Sequence, residues 1–264
     1  MDEVTAFHTA VRRYCENEVA RSPKGVVTVR GTGKFGGSSY ASPWQFAEAA
    51  LVEVEKLIPA QFQSVQDLRP LLLHAGDSAL QEIAELEGSE KKIIADEVGH
   101  YRAYIMGLTS SDLTSIEPLP HRRTLEEDER RKLWDGLRRR WDLDQVANCI
   151  NMLDFHEDLL RSRHGEQILR DALIKRGIAN VLQFHEISPD REIDVAIFDP
   201  YRVFGEVYST SRVFDWLVYA HHENFIAIGG EWLMDIFEQR WPDWRDKTYL
   251  GPASTADLRG TRNY

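Results

Sequence analysis

The amino-acid sequence predicts an α+β fold: a mainly helical N-terminal half followed by an antiparallel β-sheet with packed helices. Three observations carry this expectation. From residue 3 to about residue 145, apolar residues recur at helical spacing behind recognisable caps. After residue 165 the pattern changes to short runs rich in β-branched and aromatic residues, bounded by turn residues. The gaps between those runs are too short for parallel crossovers, so neighbouring strands are antiparallel.

Val4, Phe7, Val11, Tyr14 and Val19 place an amphipathic helix over residues 3–20, with Cys15 beside its apolar stripe as a buried structural thiol. Gly25 to Arg30 is a short β-branched run, followed by the glycine-rich segment Gly31 to Ser39. Gly31, Gly33 and Gly36 satisfy a literal G-x-G-x-x-G, but the next helix starts only at Ser42-Pro43, and Lys34 precedes Phe35 where a P-loop needs Ser or Thr. A surface loop is therefore expected there. Ser42 to Gln45 reads as a capping box with proline at the first helical position, Ser64 to Asp67 as a weaker one and Thr124 to Glu127 as another full one. Gly76 and Gly107 read as helix stops. The helix from Thr124 to Trp141 carries Glu126/Arg130, Glu127/Arg131, Asp128/Lys132 and Asp135/Arg139, opposite charges four apart that support an exposed face. Its closing Arg138 to Arg140 complements the negative carboxyl end of the helix.

In the second half, Glu166 to Arg176 is a helix stopped at Gly177. Strands are expected at Asn180–Ile187, Glu192–Phe198, Val203–Ser209, Asp215–Ala220 and Phe225–Gly229, and a last helix at Glu231–Arg240. The last two strands form a hairpin whose connection is His221 to Asn224, because Asn tolerates the left-handed conformation a tight turn requires. Three regions follow: a mainly helical one over 1–160, the sheet region over 161–250 and a C-terminal tail over 251–264. Residues 154–164 contain no linker-like Pro or Gly run, so the two halves are free to pack as one unit.

Composition narrows the function classes. The chain of 264 residues carries a net charge of -11, which argues against nucleic acid, since phosphates are bound by surplus Lys and Arg. Only Cys15 and Cys149 are present, too few for a disulfide framework, and no apolar run approaches the ~18 residues that span a bilayer. With no positive and apolar leader at the N-terminus, a complete cytoplasmic protein without membrane contact is expected.

Motifs for chemistry are incomplete. Glu97-x-x-His100 is a single copy of a spacing that di-iron bundles use twice, and His156-Glu157 lacks the second histidine of the zinc-protease motif. No Gly-x-Ser-x-Gly elbow accompanies Ser209 or Ser211. One metal arrangement remains as an alternative: His185, His221, His222 and Glu223, at strand ends, would serve a metal-dependent hydrolase if those ends were adjacent. Consecutive residues on a strand face opposite ways, so His221 and His222 share a site only if a turn reorients them. No cofactor is expected.

The leading expectation is recognition of a protein. Residues 178–264 hold 14 acidic and 8 basic residues, a net of -6, interleaved with Trp and Tyr. Rings supply contact area and carboxylates meet a basic partner. In composition and layout only, the chain is similar to bacterial toxin-immunity and other small inhibitory proteins, which implies a non-enzymatic acidic binding protein. Its expected binding residues are Asp199, Tyr201, Glu206, Tyr208, His221, His222, Glu223 and Asn224.

Overall fold

The computed structural model describes residues 1–21, 43–83, 89–141, 143, 152–201, 205–221 and 224–243. The expected strand at 25–30, the glycine-rich loop, the Ser42 cap, Cys149, His222, Glu223 and the tail 251–264 lie outside these residues. The chain divides into two compact units, Met1–Leu119 and Pro120–Tyr264.

The first unit is helical: α1 (Glu3–Ala20), α2 (Pro43–Val54), α3 (Val65–Glu82), α4 (Ser89–Gly107) and the short α5 (Ser110–Leu113). The apolar stripes foreseen along α1, α3 and α4 meet in one core with Phe7, Val11, Phe46, Leu68, Leu72 and Tyr101. Cys15 joins that core, and burial pushes its thiol pKa up. Ser64 caps α3 by accepting from the Asp67 N–H. Gly76, expected as a stop, instead lies inside α3. A Cβ there would come within 2.7 Å of Tyr101 Cε1, so the glycine admits a neighbouring ring and ends nothing. Gly107 does close α4.

The second unit is an antiparallel sheet with helices. Its elements are β1 (Arg122–Thr124), α6 (Glu127–Arg140), β2 (Met152–His156), α7 (Glu157–Ser162), α8 (Gly165–Lys175), β3 (Asn180–His185), β4 (Arg191–Asp194), β5 (Val207–Thr210), β6 (Leu217–His221), β7 (Phe225–Gly229) and α9 (Glu231–Arg240). The strand order is β1-β4-β3-β5-β6-β7-β2. The change of pattern read near residue 160 thus falls inside this unit, because β1, α6 and β2 belong to the sheet assembly.

Thr124 does not cap α6. It pairs with Arg191 in the β1–β4 ladder, and the helix starts at Glu127 behind Glu126, whose side chain makes no capping bond. The expected strand 192–198 ends at Asp194, whose carboxylate accepts from the Ala196 N–H and turns the chain into a short 3₁₀ segment, Val195–Ile197. The β6–β7 hairpin forms as expected, with Asn224 at φ 64.

Both sheet faces are covered, and cross-strand pairing assigns every residue to one of them. Phe155, Ile226, Ala220, Val207 and His185 stand in one row, on the face whose core includes residues of α7, α8 and α9. The next row, Asp154, Ala227, Tyr219, Tyr208 and Phe184, points the other way, where Trp134, Leu137 and Trp141 of the α6 segment pack. Alternation along strands buried on both sides leaves few polar positions, so each polar group in these rows is informative.

Candidate functional site

Three of the expected site residues converge on the α6 face. His221 Nε2 lies 3.0 Å from Glu206 Oε1, and the Tyr208 hydroxyl donates to Glu206 Oε2 across 3.4 Å. Tyr208 and Tyr219 are paired across β5 and β6, and their rings stack at 4.6 Å and 12°. His221 stacks in turn on Phe225 at 4.4 Å, and Trp134 meets Tyr208 edge-on. Burial first, then the charge of Glu206, pushes the Tyr208 pKa up to about 12. Tyr219 is raised by burial, by Tyr208 and by Glu206. At neutral pH both phenols therefore act as hydrogen-bond donors, and Glu206 is their acceptor.

Asp154 belongs to the same row, beyond Ala227. Its Oδ1 is buried and has no hydrogen-bond partner. Burial alone pushes its carboxyl pKa up to about 7. Nothing in the sequence analysis singled it out, because a lone acid between Leu153 and Phe155 reads as the start of a polar stretch until β2 is known to be a strand.

The remaining expected residues do not join this group. The Tyr201 ring is buried in the core of the other face, its hydroxyl donating to Glu166 at 3.2 Å and the Arg161 guanidinium lying 3.9 Å over it. Asp199 accepts from the Tyr201 N–H and shapes the local turn. Asn224 is exposed at the hairpin and accepts from the Glu157 N–H. His185 stands in the Val207–Ala220 row, so it points away from the face that holds His221. Burial and Arg191 push its pKa down to about 4, and its Nε2 has no hydrogen-bond partner. The four-residue metal arrangement is thus split between two faces at His185 and His221. Among the described residues, no group of three or more His, Cys, Asp or Glu is placed to hold a metal ion.

Three other polar clusters are internally paired. In the second unit Arg123 bridges Glu129 at 2.7 Å and Glu192 at 3.2 Å, and Arg212 reaches the same two carboxylates. The hydrogen bond from His121, with help from Arg212, holds the Glu192 carboxyl well below the usual range. Asp190 accepts from Trp134 Nε1, Arg130 Nε and the His185 N–H, tying α6 to the sheet. In the first unit Glu97 accepts from the Tyr14 hydroxyl at 2.8 Å, and the exposed His100 places Nδ1 3.6 Å from Glu97 Oε2.

No match to this chain is found among protein-family models, curated proteins or solved structures. Among the described residues, no helix is long and apolar enough to cross a membrane.

Proposed function

We propose that the chain is a non-enzymatic, acidic binding or inhibitory protein that recognises a basic protein partner through its second half. The observation that carries this reading is the charge pattern of α9. Its inner face is Leu233, Met234 and Phe237, and its outer face presents the exposed acids Glu231 and Asp235, four apart. Like charges at this spacing cost a helix about 0.2–0.5 kcal/mol per pair. Glu231 is partly offset by its place in the first turn, where the helix dipole favours an acid. Asp235 lies further along and gains little from that. By contrast, α6 places acids and bases four apart, where they support one another. A ridge that opposes its own helix suits a surface whose countercharge arrives with a partner.

Capture of basic proteins tests this. The wild-type chain should retain proteins of high isoelectric point at 50 mM salt and release them at 300 mM. The Glu231→Lys/Asp235→Lys variant should fail to capture them at 50 mM salt while keeping a cooperative thermal transition. Equal capture by the variant, or none by the wild type, refutes the proposal.

A further inference from the structure

Among the described residues of the second unit, one buried carboxylate oxygen has no hydrogen-bond partner. The buried carboxylates Asp190 and Glu192 are each met by several donors. Asp154 Oδ1, although buried, has none. A buried acceptor left unpaired costs about 1–3 kcal/mol, so such atoms call for an explanation.

Register builds its surroundings. Asp154 lies on β2, the strand at one end of the sheet order, with Ala227 directly opposite and Tyr219 one strand further. Two interstrand spacings separate the Asp154 and Tyr219 backbones, roughly 10 Å. Gly229 and Phe225 occupy the diagonal positions on the same face. The Trp141 ring lies over Gly229, where a Cβ would fall 2.8 Å from Cζ3 and 3.2 Å from Met152 Cε. On the opposite side, Phe225 stacks on His221, and the exposed His156 follows Asp154 along the strand. Ala227 is fully buried, whereas the Asp154 residue is partly exposed. The acid thus stands at the rim of a floor made of Ala227 and Gly229, flanked by aromatic rings.

We propose that Asp154, with Tyr219, Trp141 and Phe225, forms a subsite for a single organic cation, an ammonium or guanidinium group. Such a group brings the donors that Oδ1 lacks, and ring faces attract positive charge. That the cation is a Lys or Arg side chain of a protein rests on the basic-partner reading above; a free amine offers the same chemistry.

Binding is coupled to a proton. Asp154 holds its proton up to about pH 7 because of burial, and a cation must displace it. The other titratable or charged groups nearby on this face are His156, beside Asp158; His221, paired with Glu206; the phenols of Tyr208 and Tyr219; and Arg140, whose guanidinium lies over the Trp141 ring. The apparent affinity should therefore be about tenfold higher at pH 8 than at pH 6.

The test is carboxyl-carbon NMR of the full chain with labelled aspartate, titrated with methylguanidinium and n-butylammonium at constant ionic strength. The Asp154 resonance should report an apparent pKa lowered by one unit or more at saturation. Asp154→Asn should weaken binding at least tenfold. An equal response to sodium chloride, pH-independent affinity or undiminished binding by Asp154→Asn overturns the subsite. A Lys/Arg-rich peptide separates the sources. Peptide binding that responds to Glu231→Lys but ignores Asp154→Asn keeps the basic-partner reading and overturns the subsite. Amine binding through Asp154, with the peptide no tighter than the amine, keeps the subsite for small amines and overturns the basic-partner reading.

Discussion

At Asp154 burial acts without a countercharge, and the consequence for stability has a definite sign. Its carboxyl titrates near 3.8 when unfolded and near 7 when folded, so between these values the native state keeps a proton that the unfolded chain has lost. Its contribution is fully present below pH 3.8, declines as pH rises and is gone above about 7. Asp154→Asn removes that pH dependence without changing the shape of the side chain. The variant should be more stable than wild type by about 1–3 kcal/mol at pH 8 and equal to it at pH 3.5, read from urea midpoints. A constant difference at both pH values would show that Asp154 is already paired or solvated. Single residues also mark where sequence reading stops. Tyr201 and Tyr208 look alike in sequence, yet one is spent on the core of one face and the other stacks on Tyr219 on the opposite face.

Among the elements, those with long periodic stripes were legible: α1, α3, α4, α8, α9 and the β6–β7 hairpin follow from apolar spacing and turn chemistry. β1 and β2 were not. Three residues of Arg-Arg-Thr, and five interrupted by an aspartate, bury no recognisable alternation until partner strands supply it. Gly76 shows the same limit from the helical side. In a helix interior, Gly→Ala ordinarily gains about 1 kcal/mol. Here the added methyl would press on Tyr101, whose hydroxyl also donates to the Leu72 carbonyl, so Gly76→Ala should destabilise by about 1–3 kcal/mol. A rise in melting temperature instead would mean that the ring can yield and that the glycine is not a packing device.

For the molecule as a whole, the described residues of the first unit's apolar core fall within 4–116, while those of the sheet unit's two cores fall within 125–241. A core internal to each unit predicts that the Met1–Leu119 fragment, expressed alone, has a helical circular dichroism spectrum and a cooperative thermal transition. A gradual, non-cooperative melt would show that its core does not suffice.

Fold class, the closing helix α9 and the hairpin at His221 to Asn224 were readable from the chain because each depends on spacing within one segment. The membership of the candidate site was decided by tertiary structure, because it depends on parity between strands far apart in sequence. The order β4-β3-β5-β6-β7-β2 turns one-residue differences in register into opposite faces. Parity sends His185 away from His221 and brings Asp154 into the row of Tyr219 and Tyr208, a result of long-range pairing that no local pattern encodes.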